Sequence, residues 1–378
     1  MRDINWRHFD FWLLGAVALL TIFGITMIRS AIAGNIELAD FDQRQLIFAA
    51  IGFAAVMLIA IIDYRMWKAA NNLLYLGTAG LLIALSLFGE GLFGSARWFR
   101  VGPILIQPSE FAKIVIILIM ADFFSRYQAK AHNVQWVIRS FLLTMGIVIW
   151  ILLQPDLSTS IVIFVIWFAL LWVSGLKIKQ LLIAGGLSLI VIAILVPIMV
   201  INYNPTDESG IIKPYQVERI LNFVFPDPEA THGANYNVQQ ALISIGSGGW
   251  TGQGYGSGSQ VQLRFLKVRH SDFIFSAMAE EFGFIGTMIV MGLLLFVILR
   301  CLRAARMARD TYGALIAYGV ATLLSFQTLV NIGMNLNLLP VTGLTLPFVS
   351  YGGSSLLSLL VSIGLVESVI LRHKALEF

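Results

Sequence analysis

An aspartate at the start of a nearly charge-free stretch is the residue of this chain best placed to do chemistry. Asp272 lies in residues 269–275, Arg-His-Ser-Asp-Phe-Ile-Phe, between a long polar segment and a strongly apolar one. Charged groups at membrane depth are costly and are usually retained because they act on a substrate or an ion. A helix beginning at Ser271 would also favour Asp272 in its first turn, through the helix dipole. The pattern therefore leaves catalysis and a purely structural role open.

A second pair of ionisable residues lies in residues 107–113, Gln-Pro-Ser-Glu-Phe-Ala-Lys. Pro108 predicts a helix start with Glu110 in the first turn. Glu110 and Lys113 are three residues apart and can pair on one helix face. In lipid, such a pair must face the protein interior or a wet cavity. A structural ion pair is one interpretation, and clustering with other polar residues favours an active-site role.

Two further segments interrupt apolar runs. Asp156 follows Gln154 and Pro155 in a turn so tight that the flanking helices must be antiparallel neighbours. Asp is an ordinary N-cap residue, so this position alone is more typical of capping than of catalysis. Residues 339–355 are apolar yet contain two prolines and three glycines. This composition predicts a broken helix or re-entrant backbone, which is tolerated at membrane depth only where protein or a polar cavity satisfies it.

The longest polar segment covers residues 203–269 and is rich in Gly, Pro, Asn and Gln. A loop of this length is usually functional or disordered, and interleaved aromatic and aliphatic residues argue against disorder. Residues 238–245 predict a short amphipathic helix that ends at the glycines of 246–249. The glycine series continues to residue 258. Its backbone amides could cradle an anion, or the series could form a plain flexible turn, and no Walker lysine decides between them.

The elements that must position these residues are membrane helices. The chain has 378 residues, of which 58% are hydrophobic and 12% charged, with a mean hydropathy of +0.83. This excludes a soluble domain. Charge-free runs of sufficient length for membrane spans lie at 11–28, 46–62, 69–89, 140–155, 157–175, 180–205, 282–299, 311–339 and 341–366. A further span is predicted at 109–124, which carries three charges. About 20 mostly apolar residues cross a bilayer.

The predicted fold is therefore an all-α polytopic membrane protein with about ten transmembrane helices in a single domain. Residues 1–202 would hold helices 1–7, residues 203–270 one large extracellular loop, and residues 271–378 helices 8–10. Basic residues favour the cytoplasmic side of a membrane. They concentrate in the short connections on the side of the N-terminus, including Arg65, Lys177, Lys179, Arg300, Arg303, Arg306 and Arg309.

Both termini are thus expected in the cytoplasm, and the net charge of +4 reflects topology rather than nucleic-acid binding. The outward side then collects Arg97, Glu110, Lys113, Asp156, Arg219, His270, Asp272, Asn331 and residues 350–355. The inward connections carry little besides positive charge. The active side of the molecule is therefore expected to face outward.

The sequence offers little support for a transition-metal site or a Ser-His-Asp triad. The five histidines are scattered and no zinc-type spacing exists. Glu110, Asp156 and Asp272 could share a hard divalent cation, Mg²⁺ or Mn²⁺, near a pyrophosphate, although their spacing does not require one. His270 and Asp272 are two residues apart and would point in different directions.

Six blocks together resemble the SEDS family of RodA and FtsW. They are residues 107–113, 154–157, 245–249, 270–275, 279–283 (Ala-Glu-Glu-Phe-Gly) and 347–355 (Pro-Phe-Val-Ser-Tyr-Gly-Gly-Ser-Ser). The blocks appear in the family's order and cover nearly the whole chain. Short termini and Pro-Tyr-Gln at 214–216 before Arg219 are more similar to the elongation member RodA than to the division member FtsW.

The resemblance implies a ten-helix peptidoglycan glycosyltransferase that polymerises lipid II on the outer face of the bacterial cytoplasmic membrane. It assigns the family's essential aspartate to Asp272 and implies a class B penicillin-binding protein as the transpeptidase partner. Two positions depart from the family pattern. Leu266, Lys267 and Val268 replace its Leu-Pro-Glu, and Ser158 replaces a glycine. The first departure suggests that Lys267 contacts lipid phosphate.

The working hypothesis makes Asp272 the general base toward the acceptor sugar hydroxyl, with undecaprenyl pyrophosphate as the leaving group. Lys113, Arg219, Lys267 and Arg269 are the candidate cations for the pyrophosphate. The further candidates for substrate contacts or cavity walls are Arg97, Glu110, Asp156, Ser247, His270, Asn331, Ser350 and Ser354. A flippase for lipid-linked sugars is the main alternative, although no inverted repeat supports it. A scaffold that only recruits a partner is the third.

Overall fold

Helices make up most of the protein in the computed structural model, which describes residues 8–88, 97–101, 104–127, 134–175, 185, 219, 221–225 and 233–373. The helices are α1 (Phe11–Ile32), α2 (Phe41–Ile61), α3 (Trp67–Phe88), α4 (Pro108–Tyr127), α5 (Val134–Leu153), α6 (Leu157–Val173), α7 (Gly233–Gly248), α8 (Ser259–Gln262), α9 (Ile274–Met307), α10 (Thr311–Asn335) and α11 (Gly353–Leu371). Strands β1 (Phe99–Val101) and β2 (Ile104–Ile106) pair antiparallel, with Arg100 opposite Leu105.

Seven helices are long and apolar enough to cross a membrane, among the residues that the structure describes. They include α1, α2, α5, α9, α10 and α11, and a segment from Tyr64 to Leu87 that contains α3. Helix α6 is apolar but shorter, and α4 carries four charged residues. The chain is therefore a multi-pass membrane protein, as predicted. The small hairpin of β1 and β2 departs from the purely helical expectation.

The predicted runs overlap these helices, with one exception. The run at 180–205 lies outside the described residues apart from residue 185, so the total of ten spans stays a prediction. The run at 341–366 is only partly helical, because α11 begins at Gly353. Residues 336–352 contain no regular helix, which confirms the irregular backbone predicted from the prolines and glycines there.

The chain divides into two compact units. The first consists of Met1–Met66 and Pro226–Phe378, and the second of Trp67–Phe225. In the first unit α11 is the central helix, since 89% of its apolar window is buried, against 28% for α2. Helices α2 and α11 approach closely at Gly52, where a Cβ atom would meet Leu360. Glycine at this position allows the two helices to pack tightly, as small residues do between helices in a membrane.

Helix α9 is broken at Gly283, whose φ of +66° and ψ of −166° are not helical. An unbroken helix of this length would measure ~51 Å, well beyond a hydrocarbon core of ~30 Å. The break leaves residues 284–307, ~36 Å long, as the part that can cross the membrane. Because of the break, backbone N–H and C=O groups on either side of Gly283 lose the hydrogen bonds that an intact helix would give them.

The glycine-rich segment at residues 249–254 forms hydrogen bonds with these backbone groups of α9. The amides of Gln253 and Gly254 donate to the carbonyls of Glu280 (2.9 Å) and Glu281 (3.0 Å). In return, the amides of Phe284 and Ile285 donate to carbonyls at residues 249 (2.8 Å) and 250 (3.1 Å). Backbone groups at membrane depth must be satisfied by protein. The amides of Gln253 and Gly254 are therefore used inside the protein and do not face an anion.

The predicted helix in this segment exists but is longer than expected. Residues 238–245 lie within α7, which runs from Gly233 to Gly248 and ends before Gly249, a residue with φ of +54°. A Cβ atom at Gly248 would overlap the carbonyl oxygen of Ala279, so α7 packs directly on the first turn region of α9. The remainder of the predicted loop before residue 233 lies largely outside the described residues.

Candidate functional site

The segment before α9 is a tight turn that begins at a strained residue. Val268 has φ of +53°, a conformation that is costly for a β-branched side chain. Its carbonyl accepts hydrogen bonds from the amides of Ser271 (3.2 Å) and Phe273 (3.3 Å). Helix α9 begins at Ile274 with Phe273 as N-cap and no side-chain capping bond. The alternative that Asp272 sits in the first turn of a helix beginning at Ser271 is therefore wrong.

The main-chain carbonyls of residues 270–272 all accept hydrogen bonds from other parts of the first unit. The donors lie in residues 350–351 and in helix α10. The amide of Tyr351 donates to the His270 carbonyl at 2.9 Å. The Ser350 hydroxyl donates to the Ser271 carbonyl at 2.7 Å. The side-chain amides of Asn331 and Asn335 both donate to the Asp272 carbonyl, at 3.1 and 3.0 Å. We call residues 270–272 with these four donors the carbonyl clamp.

The four donors of the clamp contact main-chain carbonyls, and none of these hydrogen bonds uses the carboxylate of Asp272. That carboxylate accepts a hydrogen bond from the Ser271 hydroxyl at 3.0 Å, and Asp272 is half-buried. A carboxylate on a fixed backbone in a half-buried residue has a defined position and can still be reached by a substrate. This is the geometry that a positioned general base requires.

Asn335 was missed by the sequence reasoning, which selected Asn331 only. Its Oδ1 accepts hydrogen bonds from the Ser276 hydroxyl (2.6 Å) and amide (3.2 Å), so the same side chain also anchors the start of α9. Asn331 and Asn335 are both fully buried. The sequence does contain a signal for Asn335. Two side-chain amides four residues apart lie on one face of a membrane helix, and intramembrane polar groups are usually functional or paired.

Tyr351 is itself held from both sides. The Gln45 side chain donates to the Ser350 carbonyl and accepts from the Gly352 amide, each at 3.2 Å. The Tyr351 ring stacks on Phe41, with centroids 4.2 Å apart, and His270 lies edge-on to both rings. Gln45 and Phe41 were also missed, because nothing in the sequence of α2 links them to residues 347–355.

His270 is neutral at physiological pH. Burial, together with the neighbouring Arg269 guanidinium, lowers the pKa of His270 to about 4. A histidine with this pKa carries no charge near pH 7 and cannot act as a cation toward pyrophosphate there. Its contacts to Phe41 and Tyr351 instead make it part of the aromatic support of the turn.

The guanidinium of Arg269 also forms hydrogen bonds within the protein. Its Nε donates to the Ala31 carbonyl at 2.6 Å and Nη1 to the Leu266 carbonyl at 3.3 Å. Burial is the main cause that lowers the pKa of Arg269 from its usual range. These contacts favour a structural role for Arg269 over contact with pyrophosphate. Lys267, by contrast, is exposed two residues earlier.

Two buried glutamates of the 279–283 block hold the preceding segment in place. Glu280 accepts from the amides of Gln260 (2.8 Å) and Val261 (3.2 Å) and from the Ser259 hydroxyl (3.2 Å). Glu281 accepts from the Ser30 hydroxyl at the end of α1. Together with Arg269, these carboxylates tie residues 253–269 to α1 and α9, and so fix the approach to Asp272.

Two further candidates of the first unit are Ser247 and Ser354. The Ser247 hydroxyl donates to the Ser244 carbonyl at 2.9 Å within α7. Ser354 is buried in the first turn of α11, directly after the segment that holds the clamp.

The second unit contains its own polar cluster. Glu110 and Lys113 form a buried ion pair of 2.7 Å on α4, which confirms that these residues pair. Asp156 caps α6 by accepting from the Thr159 amide at 3.1 Å, as its position predicts. The same carboxylate also accepts from Gln107 (3.1 Å) and from the Ser109 hydroxyl (3.2 Å).

Arg97 joins this cluster from the segment before β1. Its Nε donates to the Gln154 carbonyl at 2.9 Å, and it also contacts the Pro155 carbonyl. The start of α4, the turn before α6 and Arg97 are thus brought together, as the polar clustering predicts. Arg219 is half-buried in a part of this unit of which few residues are described.

The carboxylates were also assessed as ligands for a divalent cation. Within the described ranges, no group of three or more His, Cys, Asp or Glu side chains has the arrangement of a metal site. A Mg²⁺ or Mn²⁺ ion here would depend on one carboxylate together with oxygens of a substrate pyrophosphate, a common arrangement for Mg²⁺.

The comparisons with known proteins agree with this architecture. The family model described as "Cell cycle protein", of FtsW, RodA and SpoVE, matches residues 10–375. A probable peptidoglycan glycosyltransferase FtsW of Hydrogenovibrio crunogenus is 35% identical over 387 residues, which cover 98% of this chain and 95% of the relative. The peptidoglycan glycosyltransferase MrdB of Escherichia coli is 33% identical over 370 residues, with 98% and 95% covered.

A solved structure described as "Structural coordination of polymerization and crosslinking by a peptidoglycan synthase complex" contains a similar chain. The match has a TM-score of 0.77 at 30% identity and covers 96% of this chain and 97% of that chain. Sequence and structure thus agree over almost the full length. The chain belongs to the FtsW, RodA and SpoVE family of cell cycle proteins.

Proposed function

We propose that this protein is a peptidoglycan glycosyltransferase that polymerises lipid II into β-1,4-linked glycan strands. The names of its relatives support the reaction class. The observation that carries the assignment to a residue is the carbonyl clamp, which fixes the backbone of Asp272, a residue that is only half-buried. A general base needs this combination of fixed position and access.

In the proposed reaction, Asp272 accepts the proton of the 4-hydroxyl of the acceptor N-acetylglucosamine. The acceptor oxygen forms a bond to C1 of the donor muramyl sugar, and the bond from C1 to the pyrophosphate oxygen breaks. Undecaprenyl pyrophosphate leaves with the bonding electrons, and the configuration at C1 is inverted to β. No covalent intermediate with the enzyme is formed. A positioned base typically contributes about 10²–10⁴-fold to such a step.

The departing pyrophosphate needs positive charge. Lys267 is the candidate that the first unit offers, since it is exposed and lies five residues before Asp272. Lys113 is buried against Glu110 and Arg219 is half-buried, both in the second unit. They remain candidates for contacts with the lipid-linked substrate, together with Arg97 and Asp156.

The proposed setting is the outer face of the bacterial cytoplasmic membrane, with both termini in the cytoplasm. A class B penicillin-binding protein is the proposed partner, in line with the synthase complex that holds the similar chain. We assign the protein to cell elongation rather than division on the basis of residues 214–216, which lie outside the described part of the chain. Depleting elongation and division enzymes separately in host cells, and testing rescue of shape or of septation, distinguishes the two roles.

The direct test uses purified protein, lipid II and a class B partner. Products are separated on a gel, and lipid II movement is followed in vesicles that contain the same protein. Glycan polymer without translocation supports the glycosyltransferase. Lipid movement without polymer overturns it in favour of a flippase, and neither product in the presence of a competent partner favours a scaffold.

The orientation is tested with single cysteines in a background of Cys301→Ser. Ser257→Cys and Arg309→Cys place thiols at two exposed positions. The proposal expects an impermeant maleimide to label Ser257→Cys in intact cells and Arg309→Cys only after lysis. The reverse pattern would invert the topology.

A further inference from the structure

A cavity of about 320 Å³ lies at the end of α9 remote from Asp272. Residues at the start of α1, the end of α9 and the end of α11 form its walls. They include Trp12, Arg303, Met307, Ile370 and His373. This volume lies at the lower end of the ~300–1,000 Å³ that small-molecule sites occupy. The cavity has no role in the proposed polymerisation.

The position of the cavity along the helices indicates its depth in the membrane. Helix α1 begins at Phe11, α9 ends at Met307 and α11 ends at Leu371, and all three are candidate spans. The cavity therefore lies where spans end, at the level of lipid headgroups. Phe11 and Trp12 are 66% and 76% exposed here. Exposed aromatic residues at the ends of spans are typical of the membrane interface.

The charges in and around the cavity favour an anion. Its one carboxylate wall residue, Asp10, is already paired with Arg300 and also accepts from the Leu13 amide at 3.0 Å. Arg303 is exposed and forms no ion pair with any residue in the described ranges. Two further arginines, Arg306 and Arg309, continue the same end of the molecule.

Two histidines, His8 and His373, lie on the same wall. The rings of His8 and His373 are 4.5 Å apart. His373 Nδ1 donates to the Ile370 carbonyl at 2.7 Å, since a carbonyl oxygen only accepts, and this tautomer leaves Nε2 of the neutral ring as an acceptor. An arginine above an aromatic and aliphatic wall matches a phosphate group attached to a glycerol and acyl chains.

We propose that this cavity binds the phosphate-bearing headgroup of an anionic phospholipid such as phosphatidylglycerol. The apolar wall of Trp12, Met307 and Ile370 contacts the upper part of the lipid, and Arg303 contacts the phosphate. Zwitterionic phosphatidylcholine fits less well, because its ammonium group would enter a cationic site. Anionic lipids are enriched on the cytoplasmic leaflet, where the basic end of α9 is expected.

The test compares two matched arginines on one helix. Arg303 lines the cavity and Arg306 does not, while both are exposed. Purified protein is titrated with short-chain phosphatidylglycerol or phosphatidylcholine, and bound lipid is counted by native mass spectrometry. The wild type should prefer phosphatidylglycerol. Arg303→Gln should weaken its binding about fivefold, the ratio that matches ~1 kcal/mol per basic side chain, and Arg306→Gln should not.

Three outcomes would overturn the proposal. Equal binding of the two lipids by the wild type removes the headgroup specificity. Equal losses in Arg303→Gln and Arg306→Gln show diffuse surface attraction instead of a site. Thermal stabilisation of the protein by millimolar inorganic phosphate equal to that by phosphatidylglycerol, and lost in Arg303→Gln, assigns the cavity to a free phosphate compound instead of a lipid.

Discussion

The side-chain amide of Asn335 donates a hydrogen bond of 3.0 Å to the main-chain carbonyl of Asp272. The same side chain accepts from Ser276, four residues after Asp272, so one buried residue links the catalytic candidate to the start of α9. The position of the Asp272 carboxylate thus depends on a helix that is distant in sequence. This relationship makes Asn335 a positioning residue.

Asn335→Ala should lower the polymerisation rate about 100-fold, because a base displaced by ~1 Å loses about that factor. The substrate KM should change little, since Asn335 is buried and is not proposed to touch substrate. Steady-state kinetics with purified variants and lipid II measure both values. Asn337→Gly is the control, because Asn337 is exposed and its φ of +55° suits glycine. Equal activity of the two variants would remove the positioning role.

Glu110 and Lys113 should be energetically coupled. Each is buried, and their ion pair measures 2.7 Å. Glu110→Gln or Lys113→Met alone removes the ion-pair partner of a buried charge, which costs about 3–5 kcal/mol. The double variant should therefore lose much less than the two single losses added. Thermal unfolding of the four proteins in detergent gives the coupling energy.

The control for this cycle is Asp122 with Arg126, an ion pair on the same helix whose arginine side chain is 59% exposed. Exposed pairs at this spacing contribute only about 0.3–0.5 kcal/mol. A coupling energy for Glu110 and Lys113 as small as that of the control pair would contradict a buried, mutually dependent pair.

Gly283 should tolerate no side chain. Its φ of +66° disfavours any other residue, and a Cβ atom would overlap the backbone of Thr251 and Gly252. Gly283→Ala should destabilise the protein by at least about 2 kcal/mol, from strain and from loss of the bonds between the glycine loop and α9. Gly292→Ala on the same helix has open space and should be neutral or stabilising. Similar melting temperatures for both variants would contradict the role of the break.

The lowered pKa of His270 predicts an acid-side loss of stability. An unfolded histidine titrates near ~6.5, and folded His270 at about 4. Between these values the unfolded state binds more protons, so stability falls as the pH drops from 6.5 toward 4 and is unaffected above 7. His270→Gln should flatten part of this decline. Melting temperatures at pH 7, 6 and 5 test the prediction, and parallel curves for both proteins would refute it.

The membrane class and most helices follow from the sequence because long apolar runs have few alternative structures. The Glu110 and Lys113 pair and the Asp156 cap were also predictable, since both depend on residues close in sequence. Local rules suffice for contacts of this kind.

The support of Asp272 was only partly predictable. Ser350 and Asn331 were selected as polar residues in apolar surroundings, but their partners are 79 and 59 residues away in the chain. Gln45 and Asn335 reach their partners through tertiary packing that no local pattern specifies. The same reason explains why the sequence left an anion cradle open as an alternative for the glycine series. Its true partners are backbone groups exposed by the break at Gly283.

The most direct measurement is lipid II polymerisation by purified Asp272→Asn with the class B partner present. Asparagine keeps the shape of the side chain and can accept from the Ser271 hydroxyl, so melting temperature and partner binding should match the wild type. Polymerisation should fall by at least about 10²-fold, because the amide cannot accept the proton. Asp272→Glu should also be severely impaired, since the added methylene displaces the carboxylate. Near-native polymerisation by a folded Asp272→Asn protein would contradict the account and make Glu110 the next candidate base.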